Sequence, residues 1–413
     1  MVTLASLAAI AWLTLTPAPS TGWGGYEPPW WCLWCGTLGV VDTASNILLF
    51  VPLGVGLRLL GLKSWQAMLL ALVATVGIEA LQLDLVAGRD ANVRDVLTNG
   101  FGAALGFVVW PHVMSLLFPS RRHAALAAAL VAALWVASRV ATGLLLQPSP
   151  PSGEYVVQIA PISVFPSNFL GIVHAAELNG GAVSVGRLRT QDDLVARWKR
   201  DTLVVRATVT AREPTTNLSS VVSVLTRWRL EAFVFGSKGD RLVLRTRLRA
   251  SDYQLRSPRV ELADAITVGE PLELRGAVEG SRVTLRANDL RGGRHEVEVA
   301  LSAGLGWILV SPFDWPLDAL APIWSGVLAA LWAVLLGWYA RQATSTRGAL
   351  GVLAVVSLLA GLLPPMVASA AGAPAAEWIG MIVGAVTGVT STQRLASWGL
   401  GARERGPENA RFV

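Results

Sequence analysis

The chain has 413 residues, of which 53% are hydrophobic and only 15% are charged. Soluble proteins carry about 25% charged residues, so this composition argues against an ordinary cytosolic enzyme. The 17 tryptophans, against 4 tyrosines, fit a protein that contacts membrane interfaces. Residues 147–315 hold 21 basic and 18 acidic residues and are flanked by two apolar blocks. This mixture predicts a soluble domain between membrane segments and disfavours nucleic acid as a partner.

Eight apolar segments approach the roughly 20 residues that a helix needs to cross a bilayer. They are residues 2–16, 46–62, 65–86, 97–118, 124–146, 319–340, 348–370 and 376–396. The first segment lacks a basic stretch and a cleavage site with small residues. We therefore expect a retained signal-anchor helix there, and not a cleaved signal peptide.

Basic residues fall in alternate short loops, as in the pairs Arg58/Lys63 and Arg121/Arg122. Loops rich in lysine and arginine usually face the cytoplasm. The sequence therefore predicts a multi-pass α-helical membrane protein with about eight spans and both termini in the cytoplasm. Residues 147–315 then lie outside the cytoplasm, between spans five and six.

The loop after the first span contains four tryptophans and both cysteines. The usual role of such tryptophans is to anchor a protein at the membrane interface. The alternative, which would be functional, is that they stack on a sugar ring or a lipid-linked headgroup; the residues are Trp23, Trp30, Trp31 and Trp34. Cys32 and Cys35 form a C-x-x-C sequence. A disulfide suits an oxidising compartment, while unreacted thiols, or a redox or metal site, are the other interpretations.

Polar residues concentrate at the ends of spans two to four, where charged side chains are costly and mark functional candidates. We expect one polar cluster on the outer side, formed by Asp42, Asn46, Glu79, Gln82, Arg89, Arg94, Asp95 and Asn99. Its members share helix faces, as Asp95 and Asn99 do through their i,i+4 spacing. Gly102 and Gly106 continue that face, so another helix can approach closely there.

Two interpretations of this cluster stay open. Its polar groups could form a buried hydrogen-bond network that holds the helices together. They could also bind a ligand or move a proton, with Glu79 and Asp95 as catalytic candidates. Arg89 or Arg94 could neutralise these acids, and Arg139 in span five could join the cluster or extend outward.

Residues 1–118 resemble the VanZ-like family of bacterial membrane proteins through "NILLFVPLG", "IEALQL" and "RDANVRDVLTNGFGAALG". The family pattern falls on Asn46, Phe50, Pro52, Gly54, Glu79, Gln82, Arg89, Asp95, Asn99 and Gly102. The short spacing between Gln82 and Arg89, with the extra acid Asp84, departs from that pattern and leaves the partner of Arg89 open. The resemblance implies a protein of the bacterial plasma membrane and an association with resistance to teicoplanin-type glycopeptides, without supplying a mechanism.

Residues 147–315 alternate polar and apolar residues in short runs such as "TLVVRATVTAR", "PLELRGAVEG" and "HEVEVALS". Such alternation, with turn signals between the runs, predicts an antiparallel β-sandwich. In "RLVLRTRLRA" the residues Arg245, Arg247 and Arg249 alternate with apolar ones, so we expect these arginines on a solvated face.

The same block resembles the concanavalin A-like lectin and LamG jelly rolls over roughly residues 153–310. The resemblance rests on the rhythm of the strands and on "LEAFVFGSKGDRLVLRTR", which looks like a hairpin of that fold. It implies a sugar- or glycan-binding role. No pair of carboxylates stands out as the pair that a glycosidase needs, so hydrolysis by this block is disfavoured.

The sequence thus predicts five regions: a VanZ-like transmembrane domain at 1–118, a fifth transmembrane helix at 119–146, a sandwich at 147–315, C-terminal transmembrane helices at 316–396 and a cytoplasmic tail at 397–413. The four histidines are scattered, with no second ligand at metal-binding spacing, so neither a metal nor a cofactor is expected. Nothing in the sequence indicates the oligomeric state.

The favoured function is a non-enzymatic role in the cell envelope: recognition of a glycan or glycolipid outside the membrane, with membrane lipid as a further partner and an effect on glycopeptide susceptibility. The first rival is an enzyme acting on a lipid-linked envelope substrate at the outer leaflet. Glu79 would then be the general acid or base, and Arg89 or Arg94 would hold an anionic headgroup. The second rival is a purely structural polar network.

Overall fold

The computed structural model describes residues 1–16, 29–33, 38–86, 91–162, 167–188, 191–199, 202–289, 292–318 and 320–403. Two groups of helices flank a β-sandwich along the chain. The helices are α1 (Val2–Leu15), α2 (Gly39–Leu59), α3 (Ser64–Leu85), α4 (Val93–Val109), α5 (Val113–Leu117), α6 (Arg121–Leu145), α7 (Gln191–Lys199), α8 (Gly306–Leu309), α9 (Ala321–Ala343), α10 (Thr346–Ala368) and α11 (Ala375–Arg403).

Among the described residues, six helical stretches are long and apolar enough to cross a membrane. They are Gly39–Leu59, Ser64–Leu83, Val93–Leu117, Arg121–Leu145, Ala321–Ala343 and Thr346–Ala368. Helices also form over the first and last predicted segments, where α1 has 14 residues and α11 runs to Arg403. The prediction of several membrane-spanning helices is confirmed, while the count of eight and the orientation stay predictions. Of the predicted tail, residues 404–413 lie outside the described residues.

The first helix group, α1 to α4, is built around a close crossing of α2 and α4. A Cβ on Gly102 would press against the Ile47 carbonyl oxygen, and one on Gly106 against that of Val51. The two backbones can approach this closely because glycine has no side chain. The apolar core beside the crossing contains Phe50, Leu53, Leu57, Ala103 and Phe107. The predicted small-residue face of α4 is therefore a helix contact.

The second helix group, α6 with α9, α10 and α11, has an apolar core of its own. Trp135 of α6 is fully buried in it and stacks on Trp332 of α9, with ring centroids 6.4 Å apart. The two groups meet through α5: the Trp338 indole N–H donates to the Leu117 carbonyl at 2.8 Å. The chain therefore has two separate helical cores, and α5 makes contact between the groups that contain them.

The middle block is an all-β sandwich of two six-stranded antiparallel sheets, ordered β4-β1-β6-β7-β8-β9 and β12-β11-β10-β5-β2-β3. The strands are β1 (Tyr155–Ile159), β2 (Gly171–Leu178), β3 (Gly181–Ala182), β4 (Gly186–Arg187), β5 (Thr202–Ala211), β6 (Thr215–Thr226), β7 (Glu231–Gly239), β8 (Arg241–Thr246), β9 (Arg259–Leu262), β10 (Pro271–Glu279), β11 (Arg282–Asp289) and β12 (Arg294–Ala300). The predicted sandwich is confirmed, and "EAFVFGSKGDRLVLRT" forms a hairpin in which Phe235 pairs with Leu244.

One expectation about the sandwich is wrong for Arg245, whereas Arg249 is exposed as expected. On β8 the face that carries Arg245 is not solvated, because Val243 on that face and its neighbour Val234 on β7 are both fully buried. Arg245 instead pairs with Glu231, its Nε lying 2.7 Å from the Glu231 carboxylate. On the other sheet the alternation holds, and exposed arginines such as Arg282 pair with acids on the next strand.

The sandwich rests on the ends of the second helix group. The Gln147 side-chain amide donates to the Ala368 carbonyl at the end of α10, at 2.9 Å. The Ala371 N–H donates to the Leu301 carbonyl at 3.0 Å. These bonds hold one end of the sheets against the helix ends.

Candidate functional site

The starts of α2 and α4 and the end of α3 carry five of the predicted polar residues: Asp42, Glu79, Gln82, Arg94 and Asp95. At the start of α4, the Asn92 side chain accepts the Arg94 N–H at 2.8 Å and so caps the helix. The Asn92 N–H in turn donates to the buried Glu79 carboxylate at 2.8 Å. Glu79 thereby ties the end of α3 to the start of α4, which puts an acid beside the positive end of a helix.

An ion cluster of Asp42, Arg94 and Asp95 lies next to that cap. The Arg94 guanidinium is 3.4 Å from the Asp42 carboxylate and 3.4 Å from that of Asp95. The Asp42 side chain is 48% exposed, whereas that of Arg94 is 11% exposed. The cluster therefore opens to water through Asp42 and offers both donors and acceptors to a polar ligand.

Two side chains of the sandwich approach this ion cluster. A Cβ on Gly39 at the start of α2 would collide with the Gln254 amide oxygen and lie 3.0 Å from the Arg94 guanidinium. Arg256 is held by the Ser311 and Pro312 carbonyls, at 2.5 and 2.6 Å. Burial lowers the pKa of the Arg256 guanidinium, and the negative charge of Asp42 opposes that shift. The sandwich thus borders the site.

The other predicted site residues make separate contacts. The Asn99 amide donates to the Thr75 hydroxyl at 2.8 Å, joining α4 to α3 in the core. The Gln82 amide donates to the Thr14 carbonyl at 2.8 Å, joining α3 to α1. Asn46 lies one turn after Asp42 on α2, and Arg89 lies outside the described residues. The structure therefore divides the predicted cluster into an open ion cluster and several interhelical hydrogen bonds.

A second polar centre lies in the other helix group, around Arg139. This residue neither joins the first cluster nor extends outward, because its guanidinium lies 2.6 Å from the Glu377 carboxylate of α11. Its Nε also donates to the Ala360 carbonyl at 2.9 Å. The Ser302 hydroxyl of the sandwich donates to Glu377 at 2.7 Å, and Glu377 is 0% exposed. The centre joins α6, α10, α11 and the sandwich.

Sequence reasoning missed three of these contributors: Asn92, Glu377 and Arg256. An asparagine just before an apolar periodic stretch is a signal for a helix start, and Asn92 carries that signal. Glu377 is an acid at the start of an apolar segment, so it was a candidate partner for Arg139. Nothing in the sequence marks Arg256.

The cysteine loop is described only in part. Cys32 is disulfide-bonded, while Cys35, Trp23 and Trp34 lie outside the described residues. Trp30 and Trp31 are exposed and pack edge to face, with ring centroids 5.8 Å apart. The Trp30 carbonyl accepts the Val93 N–H at 2.9 Å, which places this loop beside the start of α4.

A family model matches the part of the chain that contains the first helix group. Residues 3–118 match the family model described as VanZ/LLP1. No lectin or LamG family model matches the sandwich. No curated protein and no solved structure matches the chain.

Proposed function

We propose that this VanZ-type envelope membrane protein recognises a glycan or glycolipid at the outer surface of the membrane. The observation that carries the proposal is the open ion cluster of Asp42, Arg94 and Asp95, bordered by the sandwich. Sugar hydroxyls need acceptors such as these carboxylates, and an anionic headgroup needs a guanidinium.

The placement of the cluster supports binding at a membrane surface. It lies at the ends of membrane-length helices, and we place these ends where water and lipid headgroups meet. We place the sandwich outside the cytoplasm, so that it covers this end of the helices on the outer side. The sandwich would then confine the ligand between Arg256 and the starts of α2 and α4.

The contacts of Glu79 favour a structural role over catalysis for this residue. Its carboxylate is buried and already accepts the Asn92 N–H at 2.8 Å. A general acid or base must instead reach the proton that it transfers. We therefore assign ligand contact to the ion cluster and helix positioning to Glu79.

Glycopeptide susceptibility of bacteria that express the protein tests this proposal. Asp42→Asn and Arg94→Gln should each abolish any change in teicoplanin susceptibility that the wild type produces, at matched membrane abundance. Glu177→Gln is the matched control, because Glu177 is 45% exposed and pairs with Arg206 on a remote sheet face. An unchanged phenotype in both cluster variants, or an equal loss in the control, would contradict the proposal.

A further inference from the structure

The turn between β6 and β7 presents an exposed tryptophan between two arginines. Arg227, Trp228, Arg229 and Leu230 are all exposed, and Trp228 is 81% exposed. The turn is ordered, since the Thr226 N–H donates to the Leu230 carbonyl and the Arg229 N–H to the Thr226 carbonyl, both at 2.8 Å. We call residues 227–230 the Arg-Trp tip.

The strand register places the Arg-Trp tip level with the helix ends. The Arg247 N–H donates to the Ala232 carbonyl, and two residues further on the Arg249 N–H donates to the Gln147 carbonyl, both at 2.8 Å. Since β7 and β8 are antiparallel, Leu230 lies two residues beyond Ala232 in the same direction. Gln147 comes just after α6, so the tip reaches the level at which that helix ends.

Among the described residues, no carboxylate pairs with the charges of the tip. Arginines on the sheet faces have carboxylate partners, as Arg187 has in Glu154 and Arg286 in Glu296. In the part of the chain that the structure describes, neither Arg227 nor Arg229 forms an ion pair. Two acids beside the tip are already paired: Glu154, whose backbone carbonyl accepts the Arg227 N–H, with Arg187 at 2.8 Å, and Glu231, which directly follows Leu230, with Arg245 at 2.5 Å.

We propose that the Arg-Trp tip inserts into the headgroup region of the membrane and binds anionic phospholipid. Tryptophan prefers this region because its ring is apolar and its N–H needs a polar partner. Each arginine near an anionic membrane surface adds attraction. Two further exposed aromatic residues, Phe313 and Trp315, lie just before α9. The tip therefore fixes the sandwich against the membrane independently of any glycan.

A depth measurement on the full-length protein tests this inference. Leu230→Cys is labelled with a fluorophore and reconstituted in nanodiscs of phosphatidylcholine, with or without phosphatidylglycerol. Lipids with a nitroxide in the headgroup region quench the label when it lies among the headgroups. Asp240→Cys is the control, because the β7–β8 turn lies at the opposite end of the same strand. Cys32 is disulfide-bonded and does not take the label under non-reducing conditions.

The label at residue 230 should be quenched, more strongly with phosphatidylglycerol, and the label at residue 240 should not. Removal of each arginine should lower the ratio of inserted to free tip by about five-fold, so Arg227→Gln with Arg229→Gln should abolish the dependence on anionic lipid. Trp228→Ser should reduce quenching in both lipids. Equal quenching at the two labels, or quenching insensitive to phosphatidylglycerol and to these substitutions, would overturn the proposal. Protection of residue 230 by soluble glycan fragments, without quenching by lipid, would also overturn it.

Discussion

Arg139→Met tests the buried ion pair that joins the second helix group to the sandwich. The substitution removes the guanidinium that lies 2.6 Å from Glu377 and donates to Ala360 at 2.9 Å. Among the described residues, the side chain of Glu377, which is 0% exposed, then keeps only its bond from Ser302. Removing one partner of a buried pair leaves an uncompensated charge and costs about 3–5 kcal/mol. We expect a loss of that size in the free energy of unfolding.

The double variant Arg139→Met with Glu377→Met separates pairing from packing. Two apolar side chains of similar volume replace the pair, and such replacements are often neutral or stabilising by about 1–4 kcal/mol. The double variant should therefore recover most of the stability lost by Arg139→Met. The matched control is Arg206→Met, which removes an exposed pair at 3.9 Å and should cost no more than about 1 kcal/mol.

Unfolding of the purified protein in mixed micelles, followed by titration with a denaturing detergent, measures these differences. We expect the wild type, Arg206→Met and the double variant to have similar free energies of unfolding, and Arg139→Met to be much less stable than these three. If Arg139→Met costs no more than Arg206→Met, or if the double variant is no better than the single one, the reasoning about the buried pair is refuted.

Three further predictions follow from particular contacts. Gly102→Ala should destabilise the first helix group by about 1–3 kcal/mol, because its Cβ would meet the Ile47 carbonyl. Gly100→Ala on the same helix places its Cβ in open space and should not destabilise the group, so equal stability of the two variants in detergent unfolding would contradict this prediction. A double-mutant cycle on Asp42→Asn and Arg256→Gln should give a coupling free energy of unfolding of about 0.2–1 kcal/mol, because the Asp42 side chain is half exposed. A coupling of zero would contradict the interaction of the sandwich with the ion cluster. Burial raises the pKa of Tyr155 from 10.0 to about 12, so the stability gained from the neutral hydroxyl is complete below pH 10 and is lost as the pH rises towards 12. Tyr155→Phe should lessen this alkaline loss when the free energy of unfolding is measured across that pH range, and an unaltered pH profile would contradict the assignment.

Much of the fold is readable from local patterns. Runs such as "PLELRGAVEG" became single strands because alternation fixes which face is buried, as at Leu272 and Leu274 of β10. The helices formed where apolar length predicted them, and Gly102 became the contact that its small size allows. These signals depend on residues close together in the sequence.

The unpredicted parts depend on contacts between distant residues. Arg139 and Glu377 are 238 positions apart, so no spacing rule joins them. The burial of Val234 and Val243 on the outward face of their sheet could not be read from alternation, which assumes one solvated face. The approach of Arg256 to Asp42 requires knowing how the sandwich sits on the first helix group.

In the polar cluster, the sequence predicts which residues are candidates, but not which of them are exposed. Glu79 and Asp95 were found because charged residues in apolar segments are rare. Their different surroundings became visible only in the structure: Glu79 is buried against Asn92, whereas Asp95 joins Arg94 and the half-exposed Asp42. A sequence pattern can nominate such residues, and packing decides which of them water and ligands reach.

Direct binding tests the central claim, that the ion cluster recognises an envelope glycan or glycolipid. The full-length protein in nanodiscs is titrated with a lipid-linked envelope glycan and with the same lipid lacking its sugar, using wild type, Asp42→Asn, Arg94→Gln and the control Glu177→Gln. Saturable binding of the glycosylated lipid to the wild type and the control, reduced at least ten-fold in both cluster variants, is the predicted result; losing one charge-assisted contact of about 1.5–3 kcal/mol implies that factor or more. Equal binding by all four proteins, or no preference for the glycosylated lipid, would contradict the claim.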